Sequence, residues 1–340
     1  MMTFLATFLA AATAAATVAP LRINGLVCAV LTPFDENGAL NLDVIPAQAT
    51  YLNSTGVGWL YVAGTTGESV KMSVDERQRL LEAWIAAQPK FRIIAHVGSE
   101  SNQDAKALAA HAQKVGADAI GVMPPSFFKP ATAAALAATI AATCAAAPNL
   151  PCYYYHIPSM DGVALRMLDF VKAIEKLAPN FCGIKYTGMY TSPGMMGAQE
   201  VMEYKGGAYE VLSGREEQMI EALAIGIKGF VGSQFNVAGD LYNSIRTTFA
   251  AEGITPRSQS SILKLQARCL ALLDAWRANS PDHNGFKFFA VLAGMQVGDA
   301  RLPNLPLDDA ETDSLRSKFG DFCRSQQGGY GLKMCQAKSP

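Results

Sequence analysis

Residues 181–190, FCGIKYTGMY, resemble a buried strand that carries one lysine, Lys185, among mostly apolar residues. An ammonium group buried without a partner is so unfavourable that desolvation lowers its pKa. A neutral lysine amine is a nucleophile that can form a Schiff base with a ketone. The alternative is a strand-end lysine whose aliphatic stem lies on apolar surface while its ammonium reaches solvent. The stretch alone leaves both interpretations open.

Composition and length favour a large domain that acts on a small molecule. The chain has 340 residues, 50% of them hydrophobic, and a formal net charge of −1. Alternating strand and helix barrels commonly occupy roughly 250 residues as one unit. The charge gives no basic surplus of the kind that nucleic-acid binding needs. We therefore expect a small-molecule partner and no nucleic-acid partner.

The metal-ligating residue types show no recognisable pattern. The seven cysteines are scattered, and Cys28, Cys152 and Cys182 lie inside apolar runs without any C-x-x-C spacing. We therefore expect small buried thiols, with neither a zinc site nor a disulfide framework. The four histidines are also not spaced as a metal cluster, so no metal site is predicted; they are His96, His111, His156 and His283.

Residues 1–19 are an apolar Ala/Thr stretch that ends in Thr17-Val18-Ala19, a small-x-small pattern typical of a signal-peptidase site. No lysine or arginine precedes this pattern, so a disordered extension is the alternative. The stretch is short and weakly apolar for a membrane span, and no membrane partner is predicted for a mature form. If it is a cleaved signal, the sequon at Asn53 becomes a glycosylation site.

From residue 26 onward, short apolar runs alternate with helical patterns. Eight runs stand out: GLVCAVLTPF, GWLYVAGTTGES, FRIIAHVGS, ADAIGVMPP, PCYYYHIP, FCGIKYT, YEVLSG and KGFVGS. Alternation of this kind predicts an α/β fold, a (β/α)₈ TIM barrel. A doubly wound sheet would usually show an early G-x-G-x-x-G loop, which is missing. We predict the barrel over residues 21–239, a C-terminal helical extension over 240–323 and a mobile tail over 324–340.

Two helices between these runs have readable ends. Ser73 followed by Glu76 predicts a capping box, and Ser101 with Asp104 predicts a second helix start. That second helix is expected to end at Gly116, since glycine adopts the left-handed conformation of a C-terminal cap.

In such a barrel the active site lies at the carboxyl ends of the strands. The second run ends in GTTGE, where the hydroxyl and N–H groups of Thr65 and Thr66 could hold a carboxylate; an ordinary turn is the alternative. In the fifth run, Tyr153 and Tyr155 should share one face, so a tyrosine near Lys185 could relay a proton. Three tyrosines in a strand are otherwise simply good strand formers.

The sixth run is expected to place Phe181, Gly183 and Lys185 on one face, with Gly183 leaving room for a substrate beside the lysine. The next two runs offer polar groups suited to a polyhydroxylated ligand. These are Gly214, Glu216, Glu217 and Ser233. The alternative for the two glutamates is a solvated helix start, which the helix dipole favours.

Taken in order, GTTGES, YYYHIP, GIKYT, GREEQ and GFVGSQFN resemble the N-acetylneuraminate lyase and dihydrodipicolinate synthase family. The resemblance runs from about residue 21 to about residue 322 and is closest to the animal-type subgroup. It implies a class I aldolase without a metal or other cofactor, usually a cytoplasmic homotetramer. It also implies cleavage of N-acetylneuraminate to N-acetylmannosamine and pyruvate.

By this resemblance Lys185 forms the Schiff base, Tyr155 moves protons, and Thr65 and Thr66 hold the carboxylate at the pyruvate end. The sugar chain would be contacted by Thr187, Gly214, Glu216, Glu217 and Ser233. Two other functions stay open: an aldolase for another 2-keto sugar acid, and a barrel that binds sugar acids without turnover.

The sequence departs from the family pattern at two places. Phe127 and Phe128 stand where bacterial members have a tyrosine that completes a proton relay. Met160 stands where dihydrodipicolinate synthases have an arginine for a second carboxylate. The second departure argues against a substrate that carries two carboxylates.

Overall fold

A computed structural model of the chain describes residues 21–188, 194–256, 258–277, 283–325 and 331–336. Within them, eight parallel strands close into a barrel in chain order, and the first strand pairs with the last. The strands are β1 Gly25–Ala29, β2 Trp59–Val62, β3 Arg92–His96, β4 Ala119–Val122, β5 Cys152–His156, β6 Phe181–Tyr186, β7 Glu210–Ser213 and β8 Gly229–Gly232. The predicted (β/α)₈ barrel is confirmed.

Helices follow the strands and continue after the barrel closes. They are α1 Ile45–Ser54, α2 Val74–Ala86, α3 Asn102–Val115, α4 Ala133–Cys144, α5 Pro158–Asp161, α6 Met167–Ile174, α7 Met195–Glu203, α8 Met219–Ala224, α9 Phe235–Glu252, α10 Gln259–Arg277, α11 His283–Leu292 and α12 Asp309–Ser325. Helix α9 packs on β1, and α10, α11 and α12 pack on one another as the predicted helical C-terminal part. In the described ranges no helix has both the length and the apolar character that crossing a membrane requires. The Ala/Thr stretch, residues 1–19, for which a signal peptide or a disordered extension is expected, lies outside the described residues.

The strands are buried on both faces, which is why they read as continuous apolar runs. Outward-facing residues form one large core with the helices. Inward-facing residues form a second, smaller core that fills the lumen: Ile23, Val27, Ala29, Tyr61, Ile94, Ala119, Tyr153, Tyr155, Ile157, Cys182, Leu212 and Val231. As predicted, Tyr153 and Tyr155 share the inner face, while Tyr154 belongs to the outer core.

The predicted helix ends are confirmed. The Ser73 hydroxyl accepts a hydrogen bond from the Glu76 N–H at 3.2 Å, and the Glu76 carboxylate accepts one from the Ser73 N–H at 2.9 Å. Ser101 accepts from the Asp104 N–H at 3.3 Å, and α3 ends at Gly116 with φ of 88°. These caps satisfy N–H groups that the first helical turn leaves unpaired.

Strand β6 departs from the predicted alternation. Its register with β5 shifts, because Cys152 pairs with Phe181 while Tyr153 pairs with Gly183. Phe181 consequently packs in the outer core, while Cys182 and Lys185 both face the lumen. The expectation that Phe181 and Lys185 share a face is wrong, since one irregular residue inverts the parity of a strand.

Gly183 also has a different role from the expected one. A side chain at this position would collide with the carbonyl oxygen of Glu210 on β7, at the point where the two strands pair. The glycine is therefore required by the close approach of neighbouring backbones rather than by room for a substrate.

The prediction that the chain has no disulfides is wrong. Cys144 pairs with Cys152 and Cys323 with Cys335, with Cα–Cα distances of 5.9 and 5.4 Å. The first bond joins the last residue of α4 to the first residue of β5, a proximity that a separation of 8 residues does not reveal. Cys28 and Cys182 are buried thiols, as expected.

Candidate active site

The amine of Lys185 lies inside the lumen, enclosed by aromatic rings. Its side chain projects from β6 next to Tyr155 of β5, with which it pairs in register, and the residue is 5% exposed. The Nζ atom lies 3.7 Å from the centre of the Tyr155 ring and 4.3 Å from that of Tyr61. The strand-end alternative, with an ammonium in solvent, is therefore wrong.

The surroundings of Lys185 make its amine easy to deprotonate. Burial lowers its pKa to about 7, the nearby Glu216 carboxylate opposes this shift, and Arg215 adds to it. Near neutral pH a large share of the amine is then in its nucleophilic form.

Tyr155 is positioned to exchange a proton beside that amine. Burial raises its pKa to about 12, so the phenol keeps its proton. Its hydroxyl lies 3.2 Å from Thr65 Oγ1, a hydrogen bond in which either oxygen is able to donate. The pair links the lumen to the loop that follows β2.

That loop is held in an uncommon backbone conformation. Ala63 and Glu68, which flank the GTTG segment, have φ of 56° and 57°, values that non-glycine residues rarely adopt. The loop brings Thr66 Oγ1 to 2.7 Å from Ser233 Oγ, which follows β8. Three of the predicted hydroxyl groups, those of Thr65, Thr66 and Ser233, therefore lie at one end of the lumen.

The two glutamates after β7 are not a solvated helix start, because each is only 9% exposed. Glu216 accepts hydrogen bonds from the Ser233 N–H at 2.7 Å and the Gln234 N–H at 2.9 Å. Burial is the largest effect that raises the pKa of Glu216, and the charge of Glu217 raises it further. Glu217 lies 3.7 Å from the Arg215 guanidinium. The alternative interpretation of this pair is wrong.

Thr187 and Gly214 lie beside the lysine in different ways. A side chain at Gly214 would collide with the Thr187 methyl and lie 3.5 Å from Lys185 Cε. The Thr187 hydroxyl donates to the His156 carbonyl at 2.7 Å, so it is engaged with the main chain. Thr187 therefore lies at the site, but its hydroxyl proton is already used in this hydrogen bond and is not available to a ligand.

Sequence reasoning missed two residues that surround the lysine and Tyr155. Tyr61 lies under the Lys185 amine, and its ring meets that of Tyr155 edge to face at 5.8 Å. His96 Nδ1 donates to the Ala63 carbonyl at 2.8 Å, and burial lowers the pKa of this histidine. The alternation of inward and outward residues in the runs WLYV and RIIAH places Tyr61 and His96 on the inner face, and this alternation could have identified them from the sequence.

Sequence reasoning also missed the contribution of the C-terminal helices. Lys287 of α11 forms an ion pair of 3.1 Å with Glu68, and neither side chain is more than 1% exposed. The other Glu68 oxygen accepts from the Lys71 ammonium at 3.1 Å and the Arg301 N–H at 3.0 Å. His283 Nε2 donates to the Thr65 carbonyl at 3.1 Å. Apart from the contact between Lys71 and Glu68, these contacts join partners more than 200 residues apart, for which the sequence carries no signal.

The remaining predicted positions lie at the surface. Phe127 and Phe128, after β4, are 81% and 82% exposed, and Met160 is 66% exposed. A large open groove of about 1020 Å³ lies elsewhere, between residues 35–38 and 298–306, and contains none of the predicted catalytic residues. Across the described residues, no group of three or more His, Cys, Asp or Glu is arranged to hold a metal ion.

Comparison with known proteins gives a consistent result. The model of the dihydrodipicolinate synthetase family matches residues 22–320. The N-acetylneuraminate lyase of Danio rerio is 36% identical over 305 residues, which cover 88% of this chain and 97% of the relative.

Two solved structures show the same fold at lower identity. The Proteus mirabilis N-acetylneuraminate lyase superimposes with a TM-score of 0.81 at 32% identity, covering 89% of this chain and 99% of that one. A catalytic lysine mutant of the Ruminococcus gnavus sialic acid aldolase superimposes with a TM-score of 0.78 at 26% identity, covering 90% and 98%.

Proposed function

The chain belongs to the dihydrodipicolinate synthetase family, and on this basis we propose that it is a class I aldolase that cleaves N-acetylneuraminate to N-acetylmannosamine and pyruvate. The observation that carries the proposal is the Lys185 amine, buried in the lumen 3.7 Å from the Tyr155 ring, with a pKa lowered by burial to about 7. The relatives named N-acetylneuraminate lyase support it, and so does the similarity to a catalytic lysine mutant of the Ruminococcus gnavus sialic acid aldolase.

In the first step the neutral Lys185 amine attacks the C2 ketone of the open-chain substrate. The carbonyl oxygen leaves as water, and a protonated imine joins C2 to the lysine nitrogen. The positive nitrogen then accepts electrons from the bond between C3 and C4, so neither a resident metal nor another cofactor is part of the proposal.

In the second step the C3–C4 bond breaks. The C4 hydroxyl gives up its proton, C4 becomes the aldehyde of N-acetylmannosamine, and the electron pair moves to C3 to form an enamine. Tyr155, whose hydroxyl is hydrogen-bonded to Thr65, is suited to relay this proton, and the proton that leaves the C4 hydroxyl is balanced by the one that C3 of the enamine then gains. Protonation of C3 and addition of water then release pyruvate and restore the Lys185 amine.

The loops at the strand ends would orient the two halves of the substrate. Thr65 and Thr66, in the loop between Ala63 and Glu68, present hydroxyl and N–H groups for the carboxylate. Glu216 and Glu217 would accept hydrogen bonds from sugar hydroxyls, assisted by Ser233. Gly214 keeps the space beside Lys185 Cε open, and Thr187 shapes that wall with its methyl group.

A turnover assay over a panel of 2-keto sugar acids tests this function. We expect N-acetylneuraminate to yield equal amounts of pyruvate and N-acetylmannosamine, with higher kcat/KM than the other members of the panel. Preference for another 2-keto acid would be consistent with the Schiff-base aldolase mechanism but would contradict the proposed substrate. Absence of turnover on all of them would leave only a sugar-acid-binding barrel. Light scattering on the same preparation tests the homotetramer that the family resemblance implies.

A further inference from the structure

The ring of Tyr61 forms one wall of the space that holds the Lys185 nitrogen. Tyr61 lies on β2 and is completely buried. Lys185 Nζ lies 4.3 Å from the centre of this ring and 3.7 Å from that of the Tyr155 ring. The two rings meet edge to face, with 5.8 Å between their centres and 72° between their planes. The nitrogen therefore lies in the corner that the two rings form.

Ring faces, rather than charged or hydrogen-bonding groups, contact this nitrogen. Across the described residues, Lys185 Nζ forms neither a hydrogen bond nor an ion pair. The two charged groups that act on it from the loop after β7, Glu216 and Arg215, favour opposite protonation states. His96 of β3 packs against both tyrosine rings and stays neutral, because burial lowers its pKa. A positive charge on the nitrogen is therefore stabilised at short range by ring faces.

The position of the Tyr61 ring is fixed by the residues around it. A side chain at Gly121 of β4 would collide with the Tyr61 hydroxyl, and one at Gly64 would come within 2.8 Å of the ring. The ring thus fills space that two glycines leave open. No group in the described ranges hydrogen-bonds the Tyr61 hydroxyl, although it is fully buried. A buried hydroxyl without a partner is unfavourable, so the site uses the ring and not the hydroxyl.

We propose that Tyr61 is a positioning residue for the Schiff-base step: its ring face holds the Lys185 nitrogen beside Tyr155 and stabilises the positive charge of the protonated imine. The inference rests on the proposed function and adds to it a residue that acts through Lys185. Amine, ketone and one proton give the protonated imine and water, so a charge develops on the nitrogen where the two rings meet. A ring face attracts a cation, and burial in this corner strengthens the attraction.

The test changes the charge distribution of the ring and keeps its shape. Tyr61→Phe is the reference and should react as the parent does, because the hydroxyl has no partner. Phenylalanine with one, two or three ring fluorines is then placed at position 61, since each fluorine draws electrons from the ring face and weakens its attraction for a cation. The ring favours the ammonium, so the midpoint of the pH profile for pyruvate trapping on Lys185 should move stepwise to lower pH. We expect a shift of roughly half a unit to one unit over the series.

A second readout follows the imine itself. At alkaline pH, where the Lys185 amine is neutral, the pyruvate concentration that gives half-maximal labelling with borohydride should rise roughly three- to tenfold over the series, because the protonated imine loses stabilisation. The same fluorinated residues at Phe170, which is buried in the outer core on α6, are the control and should leave both readouts unchanged.

The outcomes separate this inference from the proposed function. A midpoint and a pyruvate dependence that stay constant over the series would overturn the role of Tyr61, and so would a shift to higher pH, which would show that the ring does not favour the cation. Loss of labelling in Tyr61→Phe would also overturn it, because the hydroxyl would then be the functional group. A parent whose Lys185 is not labelled at all would overturn the proposed function itself, and the role of Tyr61 with it.

Discussion

Opposing electrostatic effects meet at the Lys185 nitrogen. Burial favours the neutral amine, while the Glu216 carboxylate and the faces of Tyr61 and Tyr155 favour the ammonium. The result is a pKa of about 7. This balance suits an aldolase, because the first step needs a neutral amine and the later steps need a cationic imine in the same place.

The lowered pKa of Lys185 predicts the pH dependence of Schiff-base formation. Since the neutral amine reacts, the rate should rise as the pH increases and level off above about pH 7. An ordinary lysine, with a pKa of about 10.4, would give a rate that keeps rising into strongly alkaline solution. Single-turnover trapping of pyruvate between pH 5 and about 10 measures this profile. A rate that increases only above pH 9 would contradict the account of the buried amine.

The second residue-scale prediction concerns the buried glutamates. Glu217→Gln should lower kcat/KM for N-acetylneuraminate roughly ten- to a hundredfold, because a charge-assisted hydrogen bond is worth about 1.5 to 3 kcal/mol. Labelling by pyruvate should stay near the parent level, since that end is assigned to Thr65 and Thr66. Steady-state kinetics of Glu217→Gln, Glu216→Gln and, as a control on exposed α8 surface, Glu221→Gln make the comparison. If all three variants cleave at the parent rate, the glutamates do not bind the sugar.

Single residues differ in how far the sequence could identify them. Lys185 was recognisable because a charge interrupts an apolar run. Glu216 and Glu217 left two interpretations open, since their burial depends on where the loop after β7 lies against Ser233 and Gln234.

At the scale of elements, the loop after β2 is held by α11. Glu68 lies in this loop, two residues after Thr66, and forms an ion pair with Lys287 of α11. Both side chains are almost completely buried. Removing one member of a buried pair leaves the other charge uncompensated, at a cost of about 3 to 5 kcal/mol. Here Lys71 and the Arg301 N–H still contact Glu68, which places the expected cost at the lower end.

Lys287→Met should therefore lower the free energy of unfolding by about 3 kcal/mol. It should also raise KM for N-acetylneuraminate more than it lowers kcat, because the loop that presents Thr65 and Thr66 loses its support. Urea unfolding and steady-state kinetics measure the two effects, with Lys264→Met on the exposed face of α10 as the control. Unchanged stability together with an unchanged KM would show that α11 does not position the loop.

The regular elements followed from local patterns, and the irregular ones did not. The caps at Ser73 and Ser101 depend on residues three apart, so the sequence predicts them correctly. The face of Phe181 was mispredicted, because the shift of register beside Cys152 is set by pairing with another strand. The need for glycine at position 183 likewise comes from the Glu210 carbonyl on β7, and the residues near Gly183 in the sequence do not reveal this contact.

At the scale of the whole molecule, the barrel could be predicted because strands and helices alternate along the chain in a recognisable pattern. The closure of the site could not, because it depends on contacts between distant segments such as His283 and Thr65. The same holds for the bond between Cys323 and Cys335, since cysteine spacing without a three-dimensional fold does not indicate pairing.

Borohydride reduction in the presence of pyruvate tests most directly whether the barrel holds one lysine ready for Schiff-base chemistry. The chain provides its own comparison, since Lys287 is also buried but is paired with Glu68 at 3.1 Å and donates to the Asp299 carbonyl at 2.9 Å. Peptide mass spectrometry should find the reduced pyruvate adduct on Lys185 and none on Lys287. A protein whose Lys185 stays unlabelled under these conditions, or one labelled at Lys287 instead, would contradict the account.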